Sequence, residues 1–207
     1  MRKILIIDYK LGNTLSLQRA LSYLNFRSEV TNDKKKILKA DKIILPGVGA
    51  FPVAMGYLES FDLVNVIKEF AKKGNDILGI CLGMQLLMNS SDELRHTKGL
   101  ALVDGNVDII SKNKKKPIIK LPSIGWYKLK KKKNDIIFYQ VPSSHWFYFV
   151  HSYKVNCINE EHILARYNYS NIEIIAAIRN KNIIGVQFHP ENSGKEGLKV
   201  LHNFCNA

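Results

Sequence analysis

The sequence has few cysteines, few prolines and few glycines, and each shortage excludes a class of protein. Among 207 residues there are three cysteines, six prolines and 13 glycines. Collagenous and low-complexity chains are therefore excluded. Cys81, Cys157 and Cys205 show no Cys-x-x-Cys spacing, so neither a disulfide framework nor a thiolate zinc site is indicated. At least one of these cysteines could be a working thiol.

Long hydrophobic runs are also missing at the N-terminus. The first apolar run, Ile4 to Ile7, follows three residues and is interrupted by Asp8. It is too short for a signal peptide or a membrane span. We therefore expect a soluble cytoplasmic protein that makes no membrane contact.

The composition is that of a globular protein, with 46% hydrophobic and 24% charged residues. This apolar content is too high for intrinsic disorder. No internal repeat, flexible linker or shift in composition marks a boundary. The sequence therefore predicts a single domain over residues 1–207.

The chain is strongly basic, with a formal net charge of +13. Lysine outnumbers arginine 25 to 6. The runs Lys34–Lys36, Lys114–Lys116 and Lys130–Lys133 contain no interleaved aromatics or arginines, which nucleic-acid grooves usually have. We expect them to be solvated loops, and we expect no nucleic-acid partner.

Apolar runs of strand length alternate with helical patterns in the first half of the chain. This alternation predicts an α/β fold with a mostly parallel central sheet and helices on both faces. Strands are expected at 3–8, 27–31, 42–45 and 76–80, and helices at 14–25, 52–60, 63–73 and 84–89. In the second half, apolar runs at 107–110, 136–141, 146–155, 172–178 and 183–188 predict an antiparallel extension of the sheet, before a final helix at 195–204.

The segment Gly79-Ile80-Cys81-Leu82-Gly83 joins a predicted strand to a predicted helix. It has the form of a nucleophile elbow with cysteine in place of serine. The glycines suit a sharp turn through which the backbone passes closely, and the helix N-terminus favours a thiolate. The alternative is a buried structural cysteine between packing glycines.

A nucleophilic cysteine needs a base, and the base needs an orienting group. His189 and Glu191 flank Pro190 in the segment QFHPE at 187–191. If the segment is extended, both side chains point the same way, so the carboxylate could orient the imidazole. A surface ion pair and a metal site are the alternatives, but no further ligand lies at a convincing spacing.

A glycine-rich turn, LPGVGAF at 45–51, ends another predicted strand. In a parallel sheet it would emerge at the same edge as Cys81, where ligands bind. Its backbone N–H groups could stabilise an oxyanion. A plain turn before a helix is the alternative.

These segments together resemble the class I glutamine amidotransferase family, which has a flavodoxin-like fold. Within that family, the sequence is most similar to the histidine-biosynthetic branch, the glutaminase subunits of imidazole glycerol phosphate synthase. The resemblance runs nearly end to end and is carried by IDY at 7–9, Gly12-Asn13, LPGVGAF at 45–51, GICLGMQLL at 79–87, Gly125-Trp126, FVHSY at 149–153 and QFHPE at 187–191.

The resemblance implies a Cys81-His189-Glu191 triad that hydrolyses glutamine to glutamate and ammonia without a cofactor or metal. It also implies that glutamine and its oxyanion are held by Gln85, Gly49, Leu82, Ser152 and Tyr153.

The resemblance further implies a heterodimer with a TIM-barrel cyclase subunit, which would receive the ammonia and form imidazole glycerol phosphate. Asn13, Trp126 and Asn192 would lie near that partner. The sequence departs from the family pattern at Lys10, Tyr127 and Asn192, where glycine, asparagine and lysine are usual. The identity of the partner is therefore the open point.

Three alternatives remain at this stage. A paralogous glutaminase could supply ammonia to a synthetase that aminates or amidinates a sugar for a surface glycan. A non-enzymatic module could use the same fold to bind nucleic acid. A hydrolase or protease could use the same elbow, although Gln85 and the HSY segment at 151–153 would then be unexplained.

Overall fold

The computed structural model describes residues 2–110 and 119–207. Helices are spread along the chain, and all but two consecutive ones are separated by strands. They are α1 (Thr14–Tyr23), α2 (Lys34–Leu38), α3 (Phe51–Ser60), α4 (Leu63–Lys72), α5 (Leu82–Leu86) and α6 (Gly194–Asn206). Short 3₁₀ turns lie at Ile136–Phe138, Glu160–His162 and Pro190–Asn192.

Strands outnumber helices in the second half of the chain. They are β1 (Ile4–Ile7), β2 (Ser28–Thr31), β3 (Lys42–Leu45), β4 (Asp76–Ile80), β5 (Ser90–Ser91), β6 (Thr97–Lys98), β7 (Gly105–Ile109), β8 (Ser123–Lys128), β9 (Lys130–Lys131), β10 (Trp146–His151), β11 (Tyr153–Cys157), β12 (Ile163–Tyr169), β13 (Ile172–Asn180) and β14 (Ile183–Val186).

The central sheet has eight strands in the order β2-β1-β3-β4-β14-β13-β12-β9. The pairings from β2 to β14 are parallel. Those from β14 to β9 are antiparallel. The predicted fold class, a mostly parallel sheet with an antiparallel extension, is therefore confirmed. Because β14 pairs in parallel with β4, the segments that follow these two strands leave the sheet at the same edge.

Two smaller sheets flank the central one. β8 and β10 form an antiparallel pair, in which Ser123 lies opposite His151. β11, β7, β5 and β6 form a four-stranded sheet. The chain passes from the first small sheet to the second at Ser152, between β10 and β11.

The core lies on both faces of the central sheet. Leu5 and Ile7 of β1 pack on one side with residues of α3, α4 and α5. Ile4 and Ile6 pack on the other side with residues of α1 and α6. Because successive side chains of a strand point to opposite faces, a strand buried on both faces is apolar at every position.

Three expectations for the second half were incomplete or wrong. The run at 136–141 is not a strand but begins with a 3₁₀ turn, because Asp135 accepts a hydrogen bond from the backbone N–H of Ile137. The run at 146–155 is two strands in different sheets, β10 and β11. The strands β8 and β12 were not expected at all.

The lysine runs are also not simple loops. Lys34–Lys36 begin α2, because the Asp33 carboxylate caps this helix by accepting from the N–H groups of Lys35 and Lys36. Lys130–Lys131 form the edge strand β9. Lys132 and Lys133 pair with Glu160 and Glu161. The run at 114–116 lies outside the described residues.

Within residues 2–110 and 119–207, none of the helices has both the length and the apolar character needed to cross a bilayer.

Candidate active site

Cys81 lies at a sharp turn between β4 and α5. Its backbone has φ +56° and ψ −111°, a strained conformation for a residue with a side chain. The flanking glycines are required sterically, since a Cβ on Gly83 would lie 1.8 Å from the Leu45 carbonyl oxygen and one on Gly79 would lie 2.6 Å from that of Gly83. The helix begins at Leu82, directly after the cysteine and two residues earlier than expected.

His189 follows β14, the strand beside β4, so the topology brings it to the edge that carries Cys81. Its Nδ1 lies 2.9 Å from Oε1 of Glu191, and both side chains are buried. The segment is not fully extended as expected, because Pro190–Asn192 form a 3₁₀ turn. The two side chains nevertheless meet.

The charge of His189 is set by its neighbours. Burial lowers its pKa, but interactions with Cys81 and Glu191 outweigh burial and raise the pKa to about 10. The other ring nitrogen, Nε2, is buried and makes no well-formed hydrogen bond to the described residues. Nε2 is therefore available for proton exchange with Cys81, which lines the same cavity.

A cavity of about 450 Å³ contains the site. All five residues that the sequence assigned to substrate binding line it. The lining comprises Val48, Gly49, Cys81, Leu82, Gln85, Glu93, Pro122, Val150, His151, Ser152, Tyr153 and His189.

The glycine-rich turn lies at the rim of this cavity. The Tyr9 hydroxyl donates to the Pro46 carbonyl at 2.5 Å and fixes the start of the turn. Gly49 has φ +96° and open space where a Cβ would be. The turn is thus anchored at Pro46, and Gly49 adopts a backbone conformation that favours glycine.

Two glutamines connect the cavity wall to the cysteine. Nε2 of Gln85 donates to the Tyr153 carbonyl at 3.0 Å and to Oε1 of Gln187 at 3.1 Å. Nε2 of Gln187 lies 3.8 Å from Sγ of Cys81. Sequence reasoning missed Gln187, although its position two residues before His189 was a usable signal.

Glu93 was also missed. It lies in the turn between β5 and β6, and its Oε2 accepts a hydrogen bond of 2.8 Å from the backbone N–H of Phe51, the first residue of α3. Burial raises its pKa, and this hydrogen bond lowers it. No local pattern marks the residue, because its place depends on a contact 42 positions away in the sequence.

The residues expected near a partner do not line the cavity. Asn13 is exposed and caps α1 through a hydrogen bond from Ser16 N–H. Trp126 is 48% exposed on β8, and its ring centroid lies 5.7 Å from that of Tyr148. Asn192 is exposed at the end of the turn after His189. The Tyr148 ring lies 6.4 Å from the His189 ring, so this surface adjoins the site.

Lys10, where the family pattern usually has glycine, has a left-handed backbone conformation and specific side-chain contacts. Lys10 has φ +71°, in the left-handed region that favours glycine. Its ammonium group lies over the rings of Tyr57 and Phe61, at 5.5 and 5.6 Å from their centroids. Two cation–π contacts therefore hold the side chain where the family usually has none.

No cluster of histidine, cysteine, aspartate or glutamate suited to a metal ion occurs in the described part of the chain. A cysteine at an elbow, a histidine held by a glutamate and an adjoining cavity are the parts from which thiol-dependent acyl-transfer sites are built.

The family model for class I glutamine amidotransferases matches residues 5–207. The chain belongs to the class I glutamine amidotransferase family. Curated relatives include the imidazole glycerol phosphate synthase subunit HisH of Bacillus mycoides, which is 44% identical over 97% of this chain and 93% of the relative. The HisH subunit of Lactococcus lactis is 43% identical over 99% of this chain and 98% of the relative.

Solved structures share the fold. The structure described as PurLQS from Thermotoga maritima has a TM-score of 0.72 at 22% identity, and it covers 100% of this chain and 99% of that chain. A glutamine amidotransferase from Thermotoga maritima has a TM-score of 0.62 at 18% identity, covering 99% of this chain and 83% of that chain.

Proposed function

We propose that this chain is the glutaminase subunit of an imidazole glycerol phosphate synthase. The observation that carries the proposal is the meeting of Cys81 and the His189–Glu191 pair in one cavity. The near full-length similarity to HisH subunits supports this branch of the family.

We infer the following catalytic cycle, which the geometry supports. The raised pKa of His189 places the proton that it shares with Cys81 on Nε2, and Sγ of Cys81 attacks the side-chain amide carbon of glutamine. The C–N bond breaks as His189 gives that proton to the leaving nitrogen, producing ammonia and a glutamyl thioester. Water then attacks the thioester and gives a proton to Nε2 of His189, the C–S bond breaks, and glutamate leaves with the Cys81–His189 pair restored. Glu191 holds Nδ1–H of His189 throughout.

The rest of the cavity holds the substrate. The backbone N–H groups of Gly49 and Leu82 bind the developing oxyanion. Gln85 and the backbone of Ser152 and Tyr153 line the glutamine side. Glu93 supplies the anionic group that the α-ammonium group of an amino acid needs.

Ammonia that escapes into neutral water becomes protonated and loses its nucleophilicity. We therefore infer a heterodimer with a TIM-barrel cyclase subunit in the cytoplasm. That subunit joins the ammonia to a phosphoribulosyl-formimino carboxamide nucleotide, giving imidazole glycerol phosphate and an aminoimidazole nucleotide. Trp126, Asn13 and Asn192 are exposed and available to such a partner. The whole chain would act as a single glutaminase domain.

The glutamine mimic 6-diazo-5-oxo-norleucine tests the chemistry. In the complex we expect one adduct, located at Cys81, and none in Cys81→Ser. Cys157→Ser is the matched control and should react like the unmodified chain, because burial raises the pKa of the Cys157 thiol to about 11. Absence of labelling in the active complex would contradict the mechanism.

The acceptor is tested by co-purification from the native cell, followed by assay of the complex with the carboxamide nucleotide and glutamine. We expect a TIM-barrel cyclase and production of imidazole glycerol phosphate. Recovery of a synthetase for a sugar instead would retain the glutaminase reaction and overturn the histidine-pathway assignment.

A further inference from the structure

A chain of buried hydrogen bonds lies behind the cavity and takes no part in the chemistry above. Ser123 Oγ lies 3.2 Å from the Tyr167 hydroxyl. That hydroxyl lies 2.7 Å from Nε2 of His151, whose Nδ1 lies 2.7 Å from the Tyr153 carbonyl oxygen. Ser123 and Tyr167 are fully buried and His151 is 6% exposed. The chain joins β8, β12 and β10 to the first residue of β11.

The Tyr153 carbonyl, at one end of the chain, determines the direction of every hydrogen bond in it. A carbonyl can only accept, so Nδ1 of His151 carries the proton. Burial lowers the pKa of His151 to about 4, so the ring is neutral and Nε2 is an acceptor. The Tyr167 hydroxyl therefore donates to Nε2, and the Ser123 hydroxyl donates to the Tyr167 oxygen.

The Tyr153 carbonyl is shared with the cavity wall. It also accepts from Nε2 of Gln85, whose amide contacts Gln187, and Gln187 contacts the sulfur of Cys81. Ser152 and Tyr153 line the cavity directly. The position of the Tyr153 carbonyl therefore affects the shape of the part of the cavity that would hold the substrate.

We propose that Tyr167 is a positioning residue for glutamine, because its hydroxyl holds the His151 ring where Nδ1–H binds the Tyr153 carbonyl and so fixes the turn at Ser152–Tyr153. Without that hydroxyl, Nε2 becomes a buried acceptor that has lost its partner, and the ring is held only through Nδ1. The ring can then turn, which weakens its hold on the Tyr153 carbonyl. Since Ser123 lies opposite His151 in the β8–β10 pair, the same hydrogen bonds tie the turn to the strand that carries Trp126. This inference rests on the proposed glutaminase function.

The first test is Tyr167→Phe in the full-length chain with its co-purified partner. We expect kcat/KM for glutamine to fall about tenfold, mainly through a higher KM, because a buried acceptor is left unsatisfied. Tyr169→Phe is the matched control. It removes a hydroxyl from the same strand, but the Tyr169 hydroxyl donates to the Lys120 carbonyl and not to His151. It should leave both constants unchanged.

Alkylation by iodoacetamide separates positioning from damage to the cysteine, because this reagent does not use the glutamine pocket. In Tyr167→Phe its rate at Cys81 should stay within about twofold of the unmodified rate, while labelling by the glutamine mimic slows about tenfold. Equal slowing with both reagents, or no slowing with the mimic, would overturn the proposal.

Two substitutions at His151 provide a second, independent test of the proposal. The amide N–H of His151→Asn can reach the place of Nδ1 and keep the bond to Tyr153, whereas His151→Gln reaches only toward Tyr167. We expect His151→Asn to retain more affinity for glutamine than His151→Gln. The reverse order would contradict a role through the Tyr153 carbonyl.

Nitrogen-15 spectra of His151 complete the design and do not depend on activity. They should show the Nδ1–H tautomer in both the unmodified chain and Tyr167→Phe, with the Nδ1–H proton signal shifted upfield in the variant because its hydrogen bond to the Tyr153 carbonyl is weaker. An unmodified complex that fails to react with the glutamine mimic would instead count against the proposed function. An unchanged Nδ1–H proton signal in Tyr167→Phe would count against this inference alone.

Discussion

Two buried histidines, one on each of two walls of the cavity, have pKa values that are shifted in opposite directions. On the charged wall, which we define as Cys81, His189 and the Glu191 carboxylate that holds His189, the pKa of His189 is raised to about 10. On the neutral wall, which we define as Gln85, Gln187, His151 and the Tyr153 carbonyl, the pKa of His151 is lowered to about 4. Both rings are buried, with 5% and 6% exposure, so burial alone does not distinguish them.

The difference lies in the hydrogen-bond partners. His189 faces a carboxylate and a thiol, which stabilise its cation, whereas His151 faces a carbonyl and a phenol, which are neutral. His189 also lowers the pKa of His151 electrostatically. A cation on one wall thus favours a neutral ring on the other. Proton transfer is confined to the charged wall, and the neutral wall keeps a fixed pattern of donors and acceptors for the substrate.

The largest effect should come from removing charge at Glu191. Glu191→Gln keeps the size of the side chain but no longer stabilises the His189 cation or selects its tautomer. We expect kcat/KM for glutamine to fall by about 10²–10³. The alkaline limit of the pH–rate profile should also move toward neutrality. Both are measured by glutamate release from the complex.

Glu161→Gln is the matched control, because Glu161 is exposed and pairs only with Lys133 among the described residues. Its activity should lie within about twofold of the unmodified complex, as is usual for an exposed ion pair. If both substitutions have equally small effects, the charged wall is not needed for catalysis and the contrast between the two walls has no functional meaning.

A smaller effect should follow from Glu93→Gln. The amide cannot pair electrostatically with an α-ammonium group, so we expect KM for glutamine to rise about 30-fold with little change in kcat. A glutamine analogue that lacks the α-amino group tests the assignment, since Glu93→Gln should not weaken its binding. Equal losses for glutamine and the analogue would show that Glu93 acts only through the N–H of Phe51.

The sequence predicted the charged wall better than the neutral one, for a physical reason. The cysteine elbow and the His189–Glu191 spacing are local patterns, and β4 and β14 are continuous apolar runs that can be recognised without tertiary contacts. Glu93 and Tyr167 depend on long-range contacts that no local spacing encodes. Gln187 could have been predicted, because it lies two residues before His189 and side chains two apart in an extended segment point the same way.

The fold likewise contains elements that the sequence predicted and elements that it did not. The parallel strands β1, β3 and β4 are buried on both faces, so their uninterrupted apolar runs predicted them. The run at 146–155 gave no sign of a break at Ser152, because apolar residues continue on both sides. The break is set by pairing, since β10 joins β8 and β11 joins β7. The turn that the substrate would contact is thus the feature that sequence periodicity could not locate.

The smallest effect expected is on stability, and it tests the contrast between the two histidines directly. His151 has a folded pKa of about 4 against an ordinary value of 6.5, so between these values the unfolded chain takes up a proton that the folded chain does not. Its contribution to stability is complete above pH 6.5 and is lost as the pH falls toward 4. His189 has the opposite sign, since its contribution is complete below pH 6.5 and is lost as the pH rises through about 10.

Urea unfolding of the unmodified chain, His151→Gln and His189→Gln at pH 5, 7 and 9 separates these contributions. The stability difference between the unmodified chain and His151→Gln should shrink by about 1–2 kcal/mol from pH 7 to pH 5. The difference for His189→Gln should shrink from pH 7 to pH 9. Parallel trends for His151 and His189 would mean that burial, rather than their partners, sets both charges.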